Sequence, residues 1–302
     1  MTGAPIRRAG VALAVLSVIW AYNWVVMKRA LDYAGAFEFT ALRGVLTTVL
    51  LFAMLAALRH RLRPSSWRVV LLVGLLQTVG NGGLAGLALI TGGAGRAAVI
   101  VYLMPFWTLL IARFALNERM QGWQWIAVAL AGAGLVLVIA PWTPGTATLA
   151  AACALGSGIC WSLSAITVKR LQRGGTAALL SLTAWQMLVG SLVLCAIAWA
   201  FPQKPFTWTP YLFWALAYNV VLVGALGWIL WFYALDRLPA GTASLGTLSI
   251  PVLAAIAAGI ELGERPPAHE IAGMVFIAAG LGLLAWLAQR ERRRNDPMAA
   301  QE

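Results

Sequence analysis

Asn23, Gln77, Asn81, Ser162, Ser164, Gln186 and Asn219 stand inside long apolar runs of the chain. In a lipid solvent such polar groups are expensive, and they tend to face a bundle interior or a water-filled cavity. Their other use is plain helix–helix hydrogen bonding, worth on average about 0.6 kcal/mol per contact. A serine can also bond back to its own helix. An amide both donates and accepts, so Asn and Gln suit recognition of a small polar ligand. Aromatic side chains lie inside the same runs: Trp20, Tyr22, Trp24, Tyr102, Trp107, Trp161, Trp185, Tyr218 and Trp228. Rings with a polar tip offer an amphipathic ligand apolar area, stacking and a hydrogen bond, and a cationic nitrogen can sit over a tryptophan face. The set expected to contact a small-molecule ligand is Tyr22, Asn23, Gln77, Asn81, Tyr102, Trp161, Ser164, Trp185, Tyr218 and Asn219.

Other chemistry is missing. All ten carboxylates fall at the ends of the apolar runs or between them, so no buried proton relay is expected. Glu118 and Glu264 read as structural ion-pair partners for nearby arginines. Lys28 and Lys169 end apolar runs, where snorkelling toward the headgroups is the default. Cys153, Cys160 and Cys195 form no CxxC or Cys/His cluster, and His60 and His269 lie in connections, so no metal or cofactor is expected. There is no phosphate-binding P-loop, no HExxH and no nucleophile elbow. An ATP-driven pump, a protease or any other enzyme is therefore disfavoured. A channel would want a ring of repeated charge or carbonyls, and none is visible.

The elements that hold these residues follow from composition. Of 302 residues 61% are hydrophobic and 11% charged, and the mean hydropathy is +0.82. A soluble domain carries about 25% charged residues, so the partner that covers this surface is a lipid bilayer. A net charge of +12 does not argue for nucleic acid, because the basic residues are spread between apolar runs rather than gathered on one face. Runs of about 17–25 apolar residues read as spanning helices. They fall near 9–31, 37–58, 67–90, 95–116, 123–141, 148–170, 178–200, 210–235, 240–260 and 270–289. The first run follows Arg7-Arg8 and imitates a secretory leader, but no small-x-small cleavage site precedes a polar start, and the run has an internal copy. Trp67, Trp123, Trp125, Trp142 and Trp208 fall at span ends as an interfacial belt. Every lysine and arginine except Lys28, Arg29, Arg43, Arg96, Lys204 and Arg265 lies on the side shared by the two termini. The positive-inside rule then places both termini in the cytoplasm.

Two halves of the chain match in order. Trp20 and Lys28-Arg29 correspond to Trp161 and Lys169-Arg170. Leu87-Ala88-Leu89 corresponds to Tyr233-Ala234-Leu235, Ala97-Ala98 to Ala243-Ser244, Pro105 to Pro251, Glu118-Arg119 to Glu264-Arg265 and Gly134 to Gly280. Five spans per half is an odd number, so the halves insert with opposite orientation, an architecture common among transporters. The expected division is residues 1–145 and 146–289, with 290–302 a cytoplasmic tail. Pro105 and Pro251, near the middles of spans 4 and 9, are candidate hinges. Small residues in spans 5 and 10 (Gly132, Gly134, Gly280, Gly282) allow a helix-face homodimer.

These two copies of A-L, A-[AS], P, [NG]-E-R and G, each on five helices, resemble the drug/metabolite transporter superfamily in its ten-helix EamA-type branch. The resemblance covers essentially the whole chain. It implies an all-α membrane protein of two inverted five-helix repeats. It also implies a secondary transporter exporting amino acids, aromatic or amphipathic, or related metabolites across the bacterial inner membrane by alternating access. The implied cavity is lined mainly by helices 1, 3, 4, 6, 8 and 9, with 5 and 10 peripheral. A drug or cationic-metabolite exporter of the same fold is the alternative.

Overall fold

The computed structural model describes residues 3–60, 62–64, 66–115, 120, 122–142, 147–171, 176–201, 203–237 and 247–295. Among the described residues there is helix and no strand, as a chain that must satisfy its backbone inside lipid requires. The helices are α1 (Gly3–Ala30), α2 (Ala36–Ala57), α3 (Trp67–Thr91), α4 (Ala94–Val101 and Met104–Ala115), α5 (Gly122–Ile139), α6 (Ala147–Leu171), α7 (Thr176–Ala200), α8 (Pro210–Ala217 continuing to Arg237), α9 (Ser249–Glu261) and α10 (Ala268–Asn295). Among the described residues nine are long and apolar enough to span a membrane, and α9 is a shorter apolar helix. Val11, Val18, Leu72, Ile260 and Val275 point outward and are exposed, which a lipid surround makes favourable rather than costly.

The two repeats show in the packing. Helix α1 lies against α8 and α9, while α6 lies against α3 and α4; α2 packs on α7 and α5 on α10. Exchanging the first five helices for the last five maps this set of contacts onto itself, the signature of a pseudo-two-fold. The α5–α10 crossing shows the symmetry atom by atom. A Cβ on Gly134 would come within 2.6 Å of the Gly273 carbonyl, and one on its repeat counterpart Gly280 within 2.9 Å of the Ala127 carbonyl. Small residues let these backbones touch. Gly134 and Gly280 are thus used inside the chain, whereas a Cβ on Gly132 or Gly282 would meet nothing within 4 Å.

Three local features shape the interior. Helices α3 and α8 each widen into a π-helical stretch, Gly74–Gly83 and Tyr218–Leu226, a geometry that recurs at functional sites. Helix α4 breaks at Tyr102-Leu103, just before Pro105. Proline has no N–H for the Val101 carbonyl, and that carbonyl faces Gly158 of α6, where a Cβ would come within 2.9 Å of it. Pro251 lies in the first turn of α9, three residues after a turn at Leu248, so it starts the described helix rather than bending its middle. Helix α10 runs on to Asn295, beyond the expected end near 289. The expected repeat boundary at 145/146 and the matched Ala243-Ser244 and Glu118-Arg119 lie outside the described residues.

Candidate functional site

Between the repeats the helices form a cavity of about 200 Å³. Helix α1 contributes Trp20, Asn23, Trp24 and Met27, and α2 contributes Thr40, Arg43, Gly44 and Thr47. Both sets follow i, i+3, i+4, i+7, one stripe of an α-helix. Helix α3 presents Gln77, Thr78, Asn81, Gly82 and Ala85 from and just beyond its π stretch. Helix α8 presents Asn219, Val223, Gly224 and Trp228, in the four- and five-residue steps of a wider turn. The break in α4 brings in Val101 and Tyr102, α6 adds Trp161, and α7 adds Gln186 and Met187.

The polar groups on this wall are held in place. Asn81 Nδ2 donates to Ser157 Oγ at 2.9 Å, and Ser157 Oγ donates to the Asn81 carbonyl at 2.9 Å, locking α3 to α6. A Cβ on Gly80 would come within 2.7 Å of Cys160 Sγ, so this close approach needs glycine. Gln77 Nε2 reaches Asn81 Oδ1 at 3.5 Å, and Thr78 Oγ1 donates to Gln186 Oε1 at 2.8 Å. Opposite them, Arg43 Nη1 donates to Asn219 Oδ1 at 2.9 Å, while Asn219 Nδ2 donates to the Ala215 carbonyl. Tyr102 and Trp161 meet edge to face with centroids 5.5 Å apart. Trp20 lies edge-on to Trp228 at 6.1 Å, its Nε1 donating to the Val223 carbonyl at 3.4 Å. The wall therefore combines flat aromatic area, amide donors and acceptors, and one guanidinium. Among the lining residues there is no carboxylate, and among the described residues no group of three metal-ligating side chains.

Residues 8–140 and again residues 148–286 match the EamA-like transporter family. The chain belongs to that family. Its similarity extends to an uncharacterized transporter YoaV of Bacillus subtilis, 25% identical, covering 93% of this chain and 99% of that one. A probable amino-acid metabolite efflux pump of Salmonella typhimurium is 27% identical (91% and 94%), and a probable terminal-alkyne amino-acid exporter of Streptantibioticus cattleyicolor is 26% identical (90% and 92%). A solved crystal structure superposes with a TM-score of 0.67 at 17% identity, over 94% of this chain and 97% of that one, and shares the fold. The EamA chain is thus a multi-pass membrane transporter by family and fold, and the two matched stretches coincide with its two repeats.

Of the residues singled out by sequence, the EamA fold brings Asn23, Gln77, Asn81, Tyr102, Trp161 and Asn219 to the cavity. It places four elsewhere. Tyr22 and Tyr218 meet at 5.8 Å in an aromatic cluster with Trp214, off the cavity wall, with the Tyr218 hydroxyl donating to the Ile19 carbonyl at 2.8 Å. Each is the immediate neighbour of an asparagine that does face the cavity. Trp185 precedes Gln186 on α7, and its ring packs edge-on against Phe52 and Trp67 while Nε1 donates to the Leu62 carbonyl. Ser164 is buried off the cavity wall. Pro105 sits directly after the break that carries Tyr102, and Pro251 is not on the wall. Helices α2 and α7 take the place expected of α9 in the lining.

Arg43 is the group missed by counting charges. Counted with the charges on the side opposite the termini, it lies seven residues into α2, on the cavity. Its signal was present: Thr40, Arg43 and Thr47 form a polar stripe on a mostly apolar helix. Glu264 also differs from expectation. Its carboxylate accepts the backbone N–H groups of Ala94 (2.5 Å) and Gly95 (3.1 Å), capping α4 from the opposite repeat. A carboxylate suits the positive end of a helix. Arg29 pairs with Glu261 at 2.8 Å and Arg96 with Glu270 at 3.0 Å, again across the repeats. Lys28 Nζ donates to the Leu89 carbonyl at 2.5 Å, satisfying the last turn of α3. These ties gather at the end of the bundle opposite the termini.

Proposed function

We propose that this EamA chain is a secondary transporter that exports amino acids, aromatic or otherwise amphipathic, or closely related metabolites, by alternating access. The observation that carries the reading is the cavity between the repeats, where Trp20, Trp24, Tyr102, Trp161 and Trp228 surround Asn23, Gln77, Asn81 and Asn219. Rings supply apolar area and stacking, and the amides orient a polar head. Its volume, about 200 Å³, lies below the roughly 300–1,000 Å³ typical of sites for drug-sized ligands, which favours a single small metabolite over a drug. The names borne by the Salmonella and Streptantibioticus relatives support the amino-acid class. The tryptophan-rich helices support a finer likeness to the aromatic amino acid exporter YddG.

The protein works in the bacterial inner membrane with both termini cytoplasmic, as the distribution of lysine and arginine between the two sides supports. Cross-repeat ties at Arg29–Glu261 and Glu264–α4 would then hold the periplasmic end and part during the cycle. With no carboxylate on the cavity wall, flux runs down the substrate gradient without an imposed pH gradient. The test is a panel of labelled amino acids in proteoliposomes, with and without that gradient. Saturable flux of aromatic amino acids is expected. Flux of organic cations alone would replace this reading with the drug-exporter alternative.

A further inference from the structure

Arg43 is a charged side chain on a cavity wall inside a membrane-spanning helix, and nothing among the described residues neutralises it. Its hydrogen bond goes to the neutral amide of Asn219, and it takes no part in the ion pairs Arg29–Glu261 and Arg96–Glu270. A guanidinium carries five N–H donors in a planar fork, and Asn219 accepts from one of its nitrogens, Nη1. On the other side Gly82 leaves room: a Cβ there would lie 3.9 Å from Arg43 Nη2. A cation held at depth in this way marks a functional site by default, because a partner of opposite charge offsets its desolvation more fully than one neutral amide.

Two further lining groups are poised without partners. Asn23 Oδ1 and Thr40 Oγ1 are buried and make no hydrogen bond within the described chain, and both residues line the same cavity. Asn23 is 9% exposed and Thr40 3%. Leaving a buried polar atom unsatisfied is costly, so each is a natural contact for a ligand. Asn23 Oδ1 accepts only, which matches an ammonium group. Thr40 stands one turn before Arg43 on the same face of α2, and its hydroxyl can donate beside the guanidinium.

We propose that Arg43 reads a free carboxylate on the substrate, with Thr40 assisting and Asn23 taking the ammonium of an α-amino acid. This rests on the reading of the cavity as the substrate site and narrows it: the transported class is carboxylate-bearing, and organic cations lacking a carboxylate are rejected. Arginine is suited to the task because its fork meets the two carboxylate oxygens side by side.

The test uses the purified full-length protein in nanodiscs and measures binding of two matched ligand sets. One is phenylalanine, 3-phenylpropionate (no ammonium) and phenethylamine (no carboxylate); the other is leucine, 4-methylpentanoate and isoamylamine. In the unaltered protein each carboxylate-bearing ligand should bind more tightly than its amine, by about ten- to a hundredfold, the range expected for a hydrogen bond to a charged group. Arg43→Gln should remove that gap and leave the amines unchanged, and Arg43→Lys should restore part of it. Amines that bind the unaltered protein as well as their amino acids overturn the proposal, even if Arg43→Gln fails to fold; so does a gap that survives in Arg43→Gln. Failure of the broader reading looks different. Leucine binding better than phenylalanine with the gap intact would sink the aromatic preference alone. A des-amino acid binding better than its amino acid would sink the amino-acid class and keep the Arg43 anchor. Folded protein that binds none of the six contradicts both.

Discussion

Truncating Trp161 tests whether the aromatic wall contacts substrate. The Trp161 ring meets Tyr102 edge to face at 5.5 Å, and both line the cavity. Trp161→Ala removes one ring from the ligand and leaves Tyr102 without its partner. An aromatic pair contributes about 0.5–1.5 kcal/mol beyond area burial, and lost apolar contact adds to it. At 1.4 kcal/mol per factor of ten, apparent affinity for an aromatic amino acid should fall about three- to tenfold or more. Tyr102→Phe keeps the ring and should cost less. The control is Trp199→Ala, because Trp199 is 91% exposed on the outer surface of α7 and its loss should leave affinity unchanged. The assay is competition of labelled phenylalanine flux in proteoliposomes, normalised to inserted protein. Loss should be larger for aromatic than for small polar substrates. If Trp161→Ala and Tyr102→Phe both transport phenylalanine normally at intact expression, these rings are packing residues and the aromatic preference loses its support.

Other perturbations probe the frame around the cavity. Glu264→Ala takes the acceptor from two backbone N–H groups at the start of α4 and should lower stability by about 0.5–2 kcal/mol, read as a lower melting temperature in detergent; a melt equal to wild type would refute the cap. Gly134→Leu should abolish monodisperse protein on size exclusion, because its Cβ would meet the Gly273 carbonyl at 2.6 Å, while Gly132→Leu should be tolerated. A double-mutant cycle on Arg29 and Glu261, whose side chains are 39% and 28% exposed, should give a coupling below about 1 kcal/mol, since solvent screens such pairs. Reporter fusions should read cytoplasmic at the C-terminus and periplasmic after Pro141; a C-terminal fusion active only in the periplasm would contradict the ten-helix topology.

The spans and the repeat were legible because the bilayer imposes length and hydropathy directly, and because Trp20/Trp161 and Pro105/Pro251 recur in register. Asn23, Gln77, Asn81 and Asn219 stood out for the same reason: an amide in lipid is costly unless it has a use. Depth could be read from the chain but facing could not. Successive residues on a helix point about 100° apart, so Tyr22 and Asn23, Tyr218 and Asn219, or Trp185 and Gln186 share a depth and diverge in direction. The π stretches of α3 and α8 re-aim several side chains at once, and glycine-rich composition alone does not separate such a widening from close packing. Arg43 was hidden by the counting rule that gave the topology, which sorts charges between two sides and has no place for one inside. Glu264 was read as an ion-pair partner because arginines are near it in sequence, whereas the N–H groups it caps belong to the other repeat.

On this mechanism the cavity carries an amino acid from one side of the membrane to the other. Counterflow measures this directly: proteoliposomes loaded with unlabelled phenylalanine are diluted into a trace of labelled phenylalanine, with no pH gradient or membrane potential. Transient, saturable accumulation of label is expected, dependent on the trans substrate and competed by other aromatic amino acids. Correctly inserted, folded protein that gives no counterflow with any amino acid would contradict this mechanism.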